Sequence, residues 1–483
     1  MNPLKTLRPA AYALLGMLGL TLSASAQLLS DSNPLSDSTV KELGATQNQA
    51  NLVVAFAKGA DNFYSNLPSS FWETAQLDNN GNLINGTAQQ RAYLNGANKL
   101  YSVLYPTFTG NETQAQLDAI DANALQLTKT FLNQLSPGLY TTLPTILFNS
   151  ANVQNTQIQQ RLWAVRAGMS DDQGMTPVAD GGKSVTKSDK KVVTPVAEPD
   201  QKWTTFVDGN GMWSQAQSVN NLPGYNTYAG GVQVGASYEL FKGLNVGPYV
   251  GYQGTKVNFN GSNGGGSTAT DNSVRYGLFG EYQKGGWYTD GIIGGAYNSV
   301  DVNHGISISG NGNTFNSMAK GNVAGGEFDS MLGTGYEFKA GKLTFGPATS
   351  LQYTYLQLGG TQETGAGPLN QNIGSQNASS LLYTLGAQAH YDLNITQTVK
   401  LQPFGSLAWQ HEFLQNGYNL SSSILGQSYN YQTTNAGRDQ FIAGIGGNLI
   451  FFKSLSAYAI CNLINSDAQI FSQAISAGVN MKF

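Results

Sequence analysis

The stretch FSQAISAGVNMKF, residues 471–483, alternates with a period of two. Phe471, Ile475, Ala477, Val479, Met481 and Phe483 fall on one face, and Ser472, Ser476, Gly478, Asn480 and Lys482 on the other. Neighbours along a strand point to opposite faces, so the pattern predicts a strand apolar on one side and small or polar on the other. The same alternation recurs upstream. Tyr228, Val232, Val234, Ala236 and Tyr238 oppose Ala229, Gly231, Gln233, Gly235 and Ser237; Leu343, Phe345, Leu351 and Tyr353 oppose Thr344, Gly346, Ser350 and Gln352.

Working outward, twelve strands are expected, starting near residues 203, 226, 244, 273, 287, 324, 343, 379, 399, 439, 454 and 471. A soluble β-sandwich or solenoid shows the same alternation, so the connections must decide. Short turns fall at Phe241–Gly243, Lys284–Gly286, Lys339–Lys342, Leu393–Gln397 and Phe452–Lys453. Longer loops rich in Asn, Gly and Ser fall between them, at 215–225, 256–272, 299–323, 359–378 and 414–437. Outer-membrane barrels have short periplasmic turns and long outer loops, and a sandwich has no reason for that asymmetry. Closure also satisfies every strand edge, which lipid demands. The expected fold is therefore an all-β transmembrane barrel of about twelve antiparallel strands over residues 202–483, with outer-membrane lipid as its surroundings. Tyr225, Tyr228, Trp287, Tyr288 and Trp409 near strand ends suit interface girdles.

The barrel is preceded by different material. Residues 167–201 are dominated by Asp, Gly, Lys, Thr and Pro and read as a polar linker. Its roughly 35 residues could reach about 110 Å fully extended, enough to cross a membrane inside a pore. Residues 27–166 read as a small, mainly α-helical domain, passenger or periplasmic. Tyr93, Ala97, Leu100 and Leu104 mark one apolar stripe, and Leu117, Ile120, Ala124, Leu127, Phe131 and Leu135 a clearer one. Asn111 with Gln114 is the expected capping box, and Ser136-Pro137 the break before a Gln- and Asn-rich helix from about Pro144 to Arg166. Residues 1–26 read as a cleaved signal peptide: Lys5 and Arg8, an apolar run from Ala10 to Leu22, then Ala24-Ser25-Ala26. That run is too short to span a bilayer.

Composition excludes several functions. Charged residues make up only 11%, where soluble domains carry about 25%. The formal net charge of −4 argues against nucleic acid, which needs a concentrated basic face. Cys461 is the single cysteine, so no disulfide framework forms. The three histidines, His304, His390 and His411, all lie in the β-region. A Ser-His-Asp triad in the helical domain is thereby excluded, no phosphate-cradling Gly-x-x-x-x-Gly-Lys motif occurs, and no cofactor, metal or catalytic residue is expected. The candidate lumen charges are Glu239, Arg275, Glu281, Glu337 and Arg438, in polar networks that hold a plug or linker. His411 and Glu412, as strand neighbours, cannot both face inward.

At these residues the chain resembles a known family. Trp203 through Trp213, the run Gly230-Gly231-Val232-Gln233-Val234-Gly235, and Gly286-Trp287-Tyr288 are similar to the autotransporter β-domain, the translocator of type V secretion. So are Gln362-Glu363-Thr364-Gly365-Ala366, Trp409-Gln410-His411-Glu412-Phe413 and the closing Gly478 to Phe483. Upstream, Leu135-Ser136-Pro137 and Arg161-Leu162 resemble the stretch before such barrels. The resemblance covers roughly 133–483. It implies structural roles for Trp203, Gly231, Trp287, Trp409, His411, Glu412 and Phe483, with the last read by the barrel-assembly machinery. It further implies an outer-membrane translocator and anchor that displays the helical domain as a short passenger. The alternative is a porin-like or structural barrel with a periplasmic helical domain. The family often runs a helix through the lumen before the first strand. Pro195 and Pro199 at that position predict an extended lumen segment instead, or none.

Overall fold

The computed structural model describes residues 47–483, except 68–70, 72–74, 77, 79–81, 105, 107–111, 170–201, 220–221, 262–263, 416, 434–436, 452–453 and 468. The expected signal peptide and nearly all of the linker lie outside the described residues. Among the described residues four helices come first: α1 (Gln47–Ser65), α2 (Ala88–Leu104), α3 (Gln114–Leu135) and α4 (Gly138–Met169). The capping box of α3 is Thr113 with Gln116, two residues after the expected pair. Thr113 adopts the extended backbone that lets its hydroxyl reach the Gln116 N–H.

Twelve long strands follow: β1 (Trp203–Ala216), β2 (Gly224–Phe241), β3 (Leu244–Asn260), β4 (Thr268–Lys284), β5 (Trp287–Gly310), β6 (Asn313–Tyr336), β7 (Leu343–Leu358), β8 (Gln376–Tyr391), β9 (Val399–Glu412), β10 (Asp439–Phe451), β11 (Leu455–Ser466) and β12 (Ile470–Lys482). Each pairs antiparallel with its neighbours in sequence, and β12 returns to pair with β1 from Thr204↔Lys482 to Ala216↔Ile470. The sheet is closed. The apolar faces read from the sequence point outward: Tyr228, Val232, Leu351, Ile475 and Val479 are all exposed, as lipid contact requires.

One expected loop is not a loop. Residues 299–323 continue β5 and β6 to a two-residue turn at Asn311-Gly312, where φ is 50° and 75°. Asn-Gly favours this left-handed pair and fixes a tight hairpin. Along these strands the polarity inverts. Up to Tyr297 and Phe328 the outer face carries Trp287, Ile293, Leu332 and Tyr336, while Asp290, Glu327 and Asp329 point in. Beyond that level Asp301, Asn303, Asn316 and Asn322 face out, and Val300, Val302, Ile306, Ile308, Phe315 and Val323 are buried. The inversion marks where the hairpin leaves lipid and becomes the wall of an ordinary water-soluble core.

That core holds the helices. Leu52, Val53 and Phe56 of α1, Leu100 and Val103 of α2, and Phe131 and Leu135 of α3 pack with Ile306, Ile308, Phe315, Leu369 and Ile424. The outer loops add a small sheet of Gln427–Gln432, Asn419–Ile424, Gln371–Ile373 and Thr361–Gln362, in that order. Helix α1 lies on its edge strand. The Asn48 amide donates to the Gln432 carbonyl and accepts from the Gln432 N–H at 2.8 Å, and Asn51 donates to Asn430 O at 3.0 Å. Unpaired edge groups are thus covered by side chains.

Candidate functional site: the occupied barrel lumen

Helix α4 runs through the barrel. Its first turns, Leu139 to Phe148, pack among Tyr225, Phe259, Val300, Val323, Leu356 and Leu420 at the long-loop end. Its last turns place Trp163 against Phe404, Tyr458 and Ile460, and Arg166 beside Glu281 and Glu337, at the short-turn end. The chain therefore descends from the loop end to the end where β1 begins. The expectation of an extended lumen segment is corrected: the helix ends at Met169, well before Pro195 and Pro199, so those prolines break nothing in it.

The sequence of α4 grades along its axis rather than around it. Apolar residues fill the part inside the outer core, and Ser150, Asn152, Gln154, Asn155 and Gln157 are buried where the lumen wall is polar. Pro144 sits within the helix and lacks the N–H that would bond the Tyr140 carbonyl. Gln376 of β8 supplies the missing donor, at 3.3 Å. At the far end Gln402 donates to Ala167 O at 2.8 Å and Asn448 to Ala164 O at 2.9 Å, satisfying carbonyls of the last turns.

Two arginines fix the lower half. The Arg161 guanidinium lies 3.9 Å over the Phe206 ring and 4.5 Å over Phe279, with its Nε 3.8 Å from Asp208. Arg166 meets Glu281 at 2.5 Å and Glu337 at 3.1 Å, and stacks 3.6 Å over Tyr288. All of these charges are buried, so each depends on its partner; a lone buried charge costs several kcal/mol. A third cluster lies in the wall: Arg275 pairs with Glu327 and Asp329, and Thr354 donates to Asp329 at 2.9 Å.

The outer end is held by a hydrogen-bonded junction centred on Glu363, which is buried. Its carboxylate accepts from Tyr140 Oη at 2.9 Å and from the Gln371 N–H at 2.9 Å, and meets His304 Nδ1 at 2.9 Å. His304 Nε2 lies 2.6 Å from the Gln134 carbonyl. One carboxylate thus ties the α3–α4 joint to β5 and to an outer loop.

The structure places the expected residues as follows. Glu281 and Glu337 converge on Arg166, whereas Arg275 belongs to the separate wall cluster. Glu239 stands half-buried at the first short turn and accepts from the Gly243 N–H at 3.1 Å. Arg438 lines a cavity beside the upper part of α4 together with Glu412. Glu412 points inward and accepts from Ser380 and from the Leu381 N–H at 3.0 Å. His411 points outward to Asp439 at 2.8 Å, and Trp409 donates to the same carboxylate at 2.9 Å. Trp203, Trp287 and Phe483 are exposed at the short-turn rim. A Cβ on Gly231 would stand 2.7 Å from Tyr252 O, so the close approach of β2 and β3 requires glycine there.

Arg161, Arg166, Asp208, Glu327, Asp329 and Glu363 escaped the sequence reading as site residues. The available signal was two arginines in an otherwise uncharged Gln/Asn helix, facing carboxylates on inward positions of the strands. Among the described residues no group of three or more His, Cys, Asp or Glu side chains could hold a metal ion.

A family model described as the autotransporter beta-domain matches residues 205–460. Among solved structures the chain is similar to the translocator domain of the autotransporter NalP from Neisseria meningitidis, at 15% identity over 69% of this chain and 98% of that one, with a TM-score of 0.48. It is similar to the beta domain of the Bordetella autotransporter BrkA at 16% identity, over 58% and 100% of the two chains, with a TM-score of 0.43. The transport unit of AIDA-I from Escherichia coli matches at 14% identity, over 60% and 93%, with a TM-score of 0.39. No curated protein matches the sequence.

Proposed function

Because this chain belongs to the autotransporter β-domain family, we propose that it is an outer-membrane translocator and anchor that displays helices α1–α3 as its own short passenger. The observation that carries this reading is the direction of α4. The helix enters the barrel at the long-loop end, where α1–α3 pack, and leaves at the short-turn end, where β1 begins. In outer-membrane barrels the long loops face outward. A chain laid out this way has its helical module outside and both Met169 and Trp203 at the inner end, which is the arrangement left when a passenger has crossed its own pore.

Export proceeds on the signal at residues 1–26, with cleavage before Gln27. Insertion uses the barrel-assembly machinery acting on the closing strand that ends at Phe483. The role is anchoring and transport, with no catalytic step.

The test is an epitope tag after Asn82 and an impermeant protease applied to intact cells, with a periplasmic protein as leakage control. Loss of the tag, leaving the barrel with α4 protected, is the expected result. A tag that survives until the outer membrane is opened would sink surface display. Sequencing of the mature N-terminus checks cleavage before Gln27.

A further inference from the structure

Three neighbouring short turns form one continuous rim. The turns β2–β3, β4–β5 and β6–β7 are joined sideways: the Gln283 N–H donates to Gly243 O at 2.8 Å, and the Glu337 N–H to Gly286 O at 2.7 Å. Each turn carries exposed lysine: Lys242 in the first, Lys284 at the second, and Lys339 and Lys342 in the third. Turns two strands apart stand about 10 Å from one another. The four side chains therefore line an arc rather than a point.

The acidic residues of the same turns are held away from this arc. Glu281 and Glu337 are buried on Arg166, and Glu239 is half-buried with its carboxylate on the Gly243 N–H. Beside the lysines, on the lipid-facing surface, runs a band of aromatic rings. Phe241 and Tyr282 lie 6.3 Å apart, Tyr282 and Trp287 6.1 Å, Tyr336 and Phe338 4.7 Å, and Phe338 and Phe345 5.8 Å. Trp287 pairs across the strands with Tyr336, which makes the band continuous. Phe241, Trp287, Tyr336, Phe338 and Phe345 are all exposed. Aromatic girdles of this kind settle at headgroup level. At the long-loop end the exposed strand charges carry both signs, Lys256 and Lys320 with Asp301, so the basic arc belongs to the short-turn end.

We propose that this arc binds anionic phospholipid of the inner leaflet, of the phosphatidylglycerol kind, through its phosphodiester. A lysine stem can lie along the aromatic band while its ammonium group reaches the phosphate level. Ammonium groups at the surface of a leaflet attract its anionic lipids over roughly a Debye length. A zwitterionic lipid brings its own cation to the same row and gains less there. The cell wall is a weaker fit, because the arc is continuous with a band that settles in the headgroup layer. The site lies outside the lumen and does not depend on where α1–α3 reside, so its failure would leave the translocator reading untouched.

The experiment reconstitutes the full-length protein in vesicles of equal phosphatidylglycerol and phosphatidylcholine, and native mass spectrometry counts the lipids that stay bound on release. Wild type is expected to retain phosphatidylglycerol severalfold over phosphatidylcholine. Replacing Lys242, Lys284, Lys339 and Lys342 together by Gln should abolish that preference, whereas replacing all four by Arg should keep it. Lys256→Gln with Lys320→Gln, at the other end, should leave it unchanged. All variants should retain heat-modifiable gel mobility, the sign of a folded barrel. No preference in wild type would overturn the proposal, as would a preference that survives the fourfold Gln variant or is lost equally in the outer pair. Binding to isolated cell-wall sacculi that the fourfold Gln variant loses, without any lipid preference, would assign the arc to the cell wall and overturn it too. If the fourfold Gln variant does not fold, Lys339→Gln with Lys342→Gln serves instead. A partial loss of preference is then expected, and an unchanged preference would overturn the arc.

Discussion

Trp203 and Phe483 exchange both backbone hydrogen bonds: the Trp203 N–H donates to Phe483 O at 3.0 Å, and the Phe483 N–H donates to Trp203 O at 2.9 Å. The last residue is thereby a full member of the β12–β1 seam. Phe483→Ala keeps both bonds, whereas deleting residue 483 removes them, at about 0.5–1.5 kcal/mol each. The deletion is expected to lower the thermal midpoint of the gel-mobility shift below that of Phe483→Ala. Equal midpoints would mean that the side chain, not the seam, matters.

Arg166 serves two carboxylates. Arg166→Met strands Glu281 and Glu337 in a buried site, and losing one member of such a pair costs about 3–5 kcal/mol. Thermal unfolding of the barrel should fall sharply. The triple change Arg166→Met, Glu281→Gln and Glu337→Gln should recover most of the loss, and a triple variant as unstable as the single one would refute the pairing.

The Glu363 junction carries a pH dependence. His304 lies in the part of β5 beyond the lipid-facing band. Burial alone would push its pKa down, yet the hydrogen bond and charge of Glu363, with the Gln134 carbonyl, together raise it above the ordinary 6.5. A group whose folded pKa is raised contributes its stability fully below the ordinary value and loses it as pH rises through the folded one. Protease release of α1–α3 should therefore be faster at about pH 9 than at about pH 6. Glu363→Gln should flatten this profile, and an unchanged profile would remove His304 from the account.

The α1 cover rests on amide groups. Replacing Asn48 and Asn51 by Ala removes the bonds to Gln432 and Asn430. The cost is about 1 kcal/mol for each lost bond. Hydrogen exchange at the Gln432 N–H is the direct readout. It should speed up in the double variant while barrel mobility stays the same.

The barrel was legible because lipid and lumen impose opposite polarity on neighbouring residues, and the twelve strand starts follow from that. The outer half of β5 and β6 was not. Its period of two persists, but its inner face is apolar and its outer face polar, so a search for outward apolar residues ends near Tyr297. The tight turn at Asn311-Gly312 was visible as a hairpin signal and was absorbed into an expected loop. Helix α4 was read as Gln/Asn-rich without its place, because amides are ordinary on a solvated helix and also ordinary in a polar lumen. Its two arginines become informative only when register shows Asp208, Glu281 and Glu337 pointing inward.

The descent of α4 has a mechanical consequence. Between Met169 and Trp203 the chain has a contour of about 110 Å, whereas a helix the length of α4 spans about 48 Å. Fully extended, the covalent connection is therefore long enough for the helix to slide out by its whole length. A shear load pulling on α1–α3 would first be carried by Arg161, Arg166 and the Glu363 junction. The covalent chain would act as a reserve that stops complete loss only after those contacts have yielded.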